Sequence, residues 1–282
     1  MQTFLINLAR RPDRLRKMTQ QLDALGISFQ RIDALDARKL SDCELGRHFR
    51  DDGPLGAIPK GDKCCALSHA RAWRALAESD DRYGLILEDD VAIDASAAPL
   101  LHGSDWIPPS VHLVKIERYG PPGQRVLIDE RVAVGNGREI GRLRSRHTGA
   151  AAYIVSRHTA RTLLSTIGTW TLPVDHLLFN PNNSPVANAL RPHQMIPAIA
   201  HQSQLFGGCT DIGEWRAMLR EFSFSYAKRE IVRAYFELRL LPNQIARWLR
   251  QESTLVRVDE PASMHGRSNL RANRRLPGSR SA

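Results

Sequence analysis

In "LILEDDV" (residues 85–91) an aliphatic run passes directly into Glu88, Asp89 and Asp90. Adjacent like charges repel one another, and each is costly to desolvate. One reading is a solvated acidic turn that caps a strand. The other is a set of hard oxygen donors held for a divalent cation, whose arrival turns the repulsion into attraction. A second polar group lies near the N-terminus, where Asn7 is followed by Arg10, Arg11 and Arg14. A carboxamide can read a base or ribose edge, and a guanidinium can grip a phosphate with two parallel bonds. Alternatively, Arg14 does no more than solvate a helix face.

These residues need elements to hold them. "TFLINL" (3–8) reads as a strand and "RPDRLRKMTQQLDALG" as a helix, with Leu15, Met18, Leu22 and Leu25 on one face and Gly26 as its C-cap. "ISFQRIDAL" (27–35) returns as a strand, so the opening residues fit a right-handed βαβ unit of a parallel sheet. Residues 41–61 are polar with Gly and Pro and read as a loop. "DKCCALSHARAWRALAES" (62–79) reads as a helix with Ala66, Ala70, Trp73 and Ala77 along one side. "YGLILEDDV" is the next strand, which sets its carboxylates at the C-terminal edge of the sheet. Ligands bind at that edge in open α/β sheets.

"SVHLVKIE" (110–117) and "TGAAAYIVS" read as further strands, and the Gly-, Pro- and Arg-rich stretch 118–148 as hairpins or a mobile flap. "RHTARTLLSTI" is a helix with Ser156 as N-cap, "PVDHLLFN" (173–180) a Pro-initiated helical turn, and "HQMIPAIAHQS" a last strand-like piece. From Asp211 to about Gln251 the chain is helical and basic, with Trp215, Leu219, Phe222, Tyr235, Phe236, Leu240, Leu241 and Trp248 among its arginines. That segment is either a helical appendage packed on the domain or a membrane-surface segment. After Val258 the composition is Arg/Ser/Asn/Gly-rich and too polar to build a core. The expected division is a catalytic domain over 1–208, a helical extension over 209–257 and a disordered tail over 258–282.

The chain has 282 residues, 42% hydrophobic and 25% charged, enough for one large α/β domain or two small ones. No run approaches the roughly 18 apolar residues of a membrane span, and the N-terminus shows no basic leader or cleavage site, so a cytoplasmic protein is expected. Cys43, Cys64, Cys65 and Cys209 lack zinc-type spacing and read as free thiols. The net charge of +10 fits an anionic substrate or an anionic membrane face. It also invites a nucleic-acid reading, but the bases are scattered among acids and no recognition motif accompanies them. No nucleic-acid partner is expected.

"FLINLARRPDRLRKM", "GDKCCALSHARAW", "LILEDDV", "TGAAAYIVS" and "PVDHLLF" occur in that order, within a likeness that covers residues 3–203. Together they resemble glycosyltransferase family 25, the bacterial lipooligosaccharide β-galactosyltransferase type, related to collagen galactosyltransferases. The resemblance implies a GT-A-like, Rossmann-type nucleotide-sugar-binding sheet flanked by helices, here with a basic helical C-terminal extension. It also implies a UDP-sugar donor, Mn²⁺ (or Mg²⁺) as cofactor, and inversion at the anomeric carbon. The family shows Gly-Glu-x-Gly-Cys before Ser-His; here Gly61-Asp62-Lys63-Cys64-Cys65 stands there, with the Asp62 carboxylate on a shorter arm and Cys64 in place of a glycine.

By similarity to other acidic motifs of this fold, Asp90 is the expected metal ligand. If the strand continued through the motif, Glu88 and Asp90 would project to one side and Asp89 to the other. Glu88 and Asp89 would then orient the motif or hydrogen-bond the nucleotide. His201 in "IAHQS" is a second candidate metal ligand, unless it is a structural histidine. The resemblance makes Ser68 and His69 site residues, with a capped, packed helix as their alternative; Asn7 and Arg14, by their chemistry, and Asp62, by its place in the motif, are donor-site candidates. Inversion needs a base for the acceptor hydroxyl. Asp175 is the candidate outside the acidic triplet, with His176 behind it; its plainer role is a helix cap. The expected function is transfer of a hexose, galactose from UDP-galactose, onto a saccharide of a surface glycolipid, by an enzyme peripheral to the inner face of the cytoplasmic membrane. A non-catalytic nucleotide- or carbohydrate-binding relative and a basic nucleic-acid-binding protein are the alternatives.

Overall fold

A computed structural model describes residues 1–120, 122–202 and 224–259. The chain opens with β1 (Gln2–Asn7), α1 (Pro12–Ala24) and β2 (Gln30–Asp33). Pro12 stands in the first helical turn, where a missing N–H costs nothing, and Gly26 leaves the helix at φ +67°, a conformation that a β-carbon disfavours. A short helix, α2 (Asp42–Gly46), precedes the long α3 (Lys60–Glu78), and β3 (Tyr83–Glu88) follows. β2 and β3 pair with β1 in parallel on its two sides, so the expected βαβ unit is present.

The remaining elements are β4 (Val91–Ile93), α4 (Ala98–Leu101), β5 (Leu113–Lys115), β6 (Glu117–Arg118), β7 (Arg125–Gly135), β8 (Arg138–Leu143), β9 (Ala152–Ser156) and α5 (Arg157–Ser165). After them come α6 (Val174–Phe179), α7 (Pro185–Leu190), β10 (His193–Ile196), β11 (Ala200–Gln202), α8 (Phe224–Leu249) and β12 (Thr254–Arg257). The main sheet has nine strands in the order β12-β7-β8-β10-β5-β9-β3-β1-β2. It is mixed rather than wholly parallel. β9 runs antiparallel between β3 and β5, and the β8, β7 and β12 pairings are antiparallel as well. A small sheet, β4-β11-β6, starts directly after the acidic motif.

Alternate residues of the central strands face opposite layers. Leu5, Leu85 and Leu87 pack with Met18 and Leu22 of α1, while Phe4 and Ile86 pack with Ala66, Trp73 and Leu76 of α3. Removing one such side chain costs about 2–5 kcal/mol, against about 0–1 kcal/mol for a surface ion pair. Apolar packing therefore fixes α1 and α3 on their faces, and the cleft described below lies between their N-terminal turns.

Two segments differ from expectation, and a third, 118–148, takes the hairpin form of the two expected for it. Within 41–61, α2 forms because Ser41 accepts from the Glu44 amide while Glu44 accepts from the Ser41 amide, a reciprocal cap. Within 118–148, β7 and β8 are one hairpin of the main sheet, joined by Asn136 and Gly137 at φ +51° and +68°. Residues 254–257, expected at the end of a helical extension, form the edge strand β12 on β7. The end of the extension thus joins the main sheet. Expectations for Cys209, Trp215, Leu219 and Phe222, and for the tail from residue 260 on, lie outside the described residues.

Candidate active site

A cleft of about 250 Å³ opens at the C-terminal ends of β1 and β3. Its walls include Arg14, Asp62, Cys65, Ser68, His69, Glu88, Asp89, Asp90, Tyr119, Gly149, Asp175 and Gln202. The register aligns Ile6 with Glu88, which brings Asn7 beside the acidic motif. β3 ends at Glu88, so strand alternation stops there and all three acids line the same cleft.

Arg14, buried in the first turn of α1, donates from Nη1 to Asp89 Oδ1 at 3.0 Å and to Asp90 Oδ2 at 3.5 Å. Asn7 donates to Asp89 Oδ2 at 2.7 Å and to the Arg11 carbonyl, and accepts from Arg31. It stands behind Asp89 and does not line the cleft. Burial pushes Asp89 upward, while Arg14 and Asn7 pull it down. Asp90 has less support. Burial, and then the neighbouring Glu88 charge, raise it to about 7 against the pull of Arg14. Its Oδ1 is buried with no hydrogen-bond partner among the described residues. A buried carboxylate oxygen in that state calls for a proton or a cation.

Glu88 is held differently. Its Oε1 lies 3.1 Å from His69 Nε2 and 3.6 Å from Cys65 Sγ. His69 Nδ1 is 2.9 Å from Tyr153 Oη, which also accepts from Trp73 Nε1 at 2.7 Å. Indole nitrogen only donates, so the Tyr153 hydroxyl accepts from Trp73, and its own proton has one acceptor among the described residues, His69 Nδ1. His69 must then carry its proton on Nε2 and donate to Glu88. Burial and the Glu88 charge push the Cys65 thiol well up, so it remains a thiol that donates to the same oxygen. The ligand atoms of Cys65, His69 and Glu88 lie within 4.8 Å of one another, a spacing that suits a metal. In the hydrogen-bonded arrangement, however, the histidine and thiol present protons to Glu88, and their task is to orient it.

Ser68 accepts from the Leu35 amide and donates to the Cys64 carbonyl, tying the segment after β2 to α3. Asp62, buried in the first turn of α3, lines the wall. Asp175 lies in the first turn of α6, where its Oδ1 accepts from the His176 amide and its Oδ2 from the Gly149 amide at 3.3 Å. It therefore faces the cleft while also serving the helix start. His201 is not brought to the cleft. It is exposed on β11 opposite Ala92, and its neighbour Gln202, opposite Val91, lines the wall in its place.

Sequence reading passed over Lys115 and Glu117. Both are fully buried, with Lys115 Nζ 2.6 Å from Glu117 Oε1 and 4.8 Å from the Phe179 ring centre. Lys115 donates to the Gly149 carbonyl and Glu117 accepts from the Ala151 amide, so the pair pins the segment that carries the Asp175 contact. Gly149 sits at φ +90°, and a β-carbon there would meet Tyr119 at 2.7 Å. The available signal was a Lys and a Glu two residues apart on a strand otherwise apolar.

The family model for glycosyltransferase family 25 (LPS biosynthesis protein) matches residues 1–178. The lacto-N-neotetraose biosynthesis glycosyltransferase LgtB of Neisseria gonorrhoeae is 30% identical over 203 residues, covering 65% of this chain and 68% of that protein. LgtE of Neisseria meningitidis serogroup B is 27% identical, over 64% of this chain and 66% of that protein. A putative glycosyltransferase of Haemophilus influenzae is 26% identical, over 62% of each. The chain thus spans somewhat under two thirds of the length of these last two relatives. Among solved structures, a glycosyltransferase involved in glycosylation of the major capsid of PBCV-1 aligns with a TM-score of 0.38 and 11% identity, over 83% of this chain and all of that one.

Proposed function

The chain belongs to glycosyltransferase family 25, and from that membership we propose that it transfers galactose from UDP-galactose to a saccharide of lipooligosaccharide, with inversion and with a divalent cation at the diphosphate. The observation that carries this reading is the buried Oδ1 of Asp90, without a hydrogen-bond partner among the described residues, in a cleft shared with Glu88, Asp89 and Asp175. The donor set fits Mn²⁺ or Mg²⁺, which prefer hard carboxylate oxygens. Asp90 would hold the ion, with Asp89 or Glu88 beside it. When bound, the ion would neutralise charge on the diphosphate leaving group as a Lewis acid.

The chain's own residues account for the rest. Arg14 keeps Asp89 and Asp90 in place, and His69 keeps Glu88 aimed at the cleft. Asp175 stands on the α6 wall and takes the proton from the acceptor hydroxyl as its oxygen bonds to the anomeric carbon. The bond from that carbon to the diphosphate breaks on the opposite face, so one displacement inverts the centre. A screen of sugar nucleotides with and without Mn²⁺, scored by acceptor-dependent nucleotide release, tests this reading. Turnover with UDP-galactose that needs metal supports it. Donor binding with no turnover on any saccharide would instead mark a non-catalytic relative.

We also place the enzyme at an anionic membrane surface. No helix among the described residues is long and apolar enough to cross a membrane. α8 nevertheless exposes Ile231, Tyr235, Leu238, Leu241, Ile245 and Trp248, spaced three or four apart along one side. The sequence of the same helix holds Lys228, Arg229, Arg233, Arg239 and Arg247 with two acids, Glu230 and Glu237, and Arg250 follows. Apolar side chains interleaved with cations are the composition of an interfacial helix.

A further inference from the structure

On the far side of the main sheet from the cleft, beyond β9, β5 and β10, a second pocket of about 200 Å³ lies among β8, α7 and α8. Among the described residues four guanidinium groups line it, from Arg142, Arg144, Arg191 and Arg247, and no carboxylate does. The other polar walls are the carboxamides of Asn182, Asn188, Asn243 and Gln244.

The compensating acids stand behind the wall. Glu130 accepts from Arg142 at 2.9 Å and from Arg191 at 2.6 and 2.8 Å, and Asp129 from Arg144 at 2.6 Å and Arg247 at 3.4 Å. Two carboxylates thus serve four guanidiniums, and the pocket keeps a net positive charge. Arg144 registers the crowding. Burial lowers it, Asp129 opposes that, and Arg142 and Arg247 lower it further.

We propose that this pocket is a second ligand site, which takes one saccharide unit bearing an oxyanion, a phosphate monoester or a carboxylate. Guanidinium forks match such oxyanions, and carboxamides match sugar hydroxyls; Gln244 Nε2 already donates to the Arg144 carbonyl and Asn182 Oδ1, and Asn188 Nδ2 to the Pro181 and Ser184 carbonyls, so these two offer their oxygens. The volume falls below the roughly 300–1,000 Å³ of drug-sized ligand sites, so a single sugar unit is the appropriate scale. The inference stands on this pocket alone and does not depend on the chemistry of the cleft.

The test is calorimetric titration of the full chain, in low salt, with glucose 6-phosphate, glucuronate, inorganic phosphate and glucose as probes. Glucose 6-phosphate or glucuronate should bind more tightly than inorganic phosphate, and glucose should not bind measurably. Arg191, half-exposed at the end of α7, can lose its charge without opening the core. Arg191→Gln should weaken the anionic sugar roughly tenfold or more, through loss of charge-assisted bonds, and leave UDP binding unchanged. Asn243→Asp, on an exposed residue, should do the same by adding a negative charge to the wall. Equal affinity for phosphate and glucose 6-phosphate would reduce the pocket to a bare anion site and overturn the saccharide assignment. Absence of binding, or binding unmoved by both substitutions, would show the arginines to be an ion-pair lattice that fastens α8 to the hairpin.

Discussion

His69 Nε2 lies 3.1 Å from Glu88 Oε1, and the proton between them is fixed by Trp73, two hydrogen bonds from His69 through the hydroxyl of Tyr153. Each donor in this buried series has one acceptor and each member one orientation. Removing the hydroxyl with Tyr153→Phe leaves the Trp73 N–H buried and unpaired, at a cost of about 1–3 kcal/mol. The melting temperature should fall by roughly 2–4 °C for each kcal/mol lost in a domain of this size. His69→Gln should reduce turnover more than Tyr153→Phe, since it acts on Glu88 directly. A Tyr153→Phe protein as stable as its parent would refute the Trp73–Tyr153 hydrogen bond from which the series starts.

Asp90 is the opposite case, a carboxylate whose surroundings disfavour its charge. Asp90→Asn removes that buried charge and should leave thermal stability unchanged or slightly higher, while most metal-dependent turnover is lost. Thermal melts and nucleotide release on the same preparation check both halves. Near-parental turnover at limiting Mn²⁺ would remove Asp90 from the proposed ligand set.

The contrast between Asp90 and Lys115 shows what the sequence discloses. Glu88, Asp89 and Asp90 are adjacent in the chain and follow an apolar run, so their edge position could be read directly. So could α1 and α3, whose apolar faces repeat at helical spacing, and the βαβ start. The Lys115–Glu117 pair was not legible, because its meaning depends on Gly149 and Ala151, more than thirty residues away. His201 and Gln202 differ by one position, and which of them faces the cleft depends on the β11–β4 register. The Asn136-Gly137 turn carried a hairpin signal, yet only its partner strands reveal that it extends the main sheet. The edge strand β12 was hidden for the same reason, since its partner lies more than a hundred residues upstream.

Two buried histidines give the fold an acid-sensitive component. Burial lowers His147 to about 3, with Lys115 adding to it, and lowers His193 to about 4. The unfolded chain takes up these protons near pH 6.5 and the folded chain does not. Their contribution is therefore complete above about pH 6.5 and is lost as pH falls toward 4, by about 3 kcal/mol for His193. Asp90, raised in the fold, titrates with the opposite sign, so the comparison must be between proteins that both retain it. Denaturant unfolding at pH 7 and pH 5 should show a smaller drop for His193→Gln than for the parent. Equal drops would mean that His193 takes up its proton in the folded state.

The exposed face of α8 leads to a binding prediction. Truncation before this helix would also remove β12 from the main sheet, so substitution is the cleaner test. Each basic residue near an anionic surface contributes about 1 kcal/mol, and the apolar side chains add to this by burial in the interface. The parent should bind vesicles containing phosphatidylglycerol in a salt-sensitive way, and Ile245→Ser with Trp248→Ser should weaken that binding. Transfer to a short soluble acceptor should be unaffected. Unchanged vesicle binding by the double variant would take α8 out of membrane docking.

Asp175 joins two roles that a single substitution can separate. As a helix-start residue it accepts from the His176 and Gly149 amides, and as a cleft residue it faces the acidic motif from α6. Asparagine keeps one acceptor oxygen, enough for the 2.8 Å bond from the His176 amide though not for the longer one from Gly149, and removes the basicity. If Asp175 takes the acceptor proton, Asp175→Asn should retain the fold and donor affinity while transfer falls by roughly 10²–10⁴-fold. The slow hydrolysis of donor by water should fall less, since it does not use the saccharide acceptor. Loss of donor affinity together with transfer would place Asp175 in the donor site. A lowered melting temperature, with turnover restored by cooling, would leave it as the cap of α6 and send the search for the base to His176.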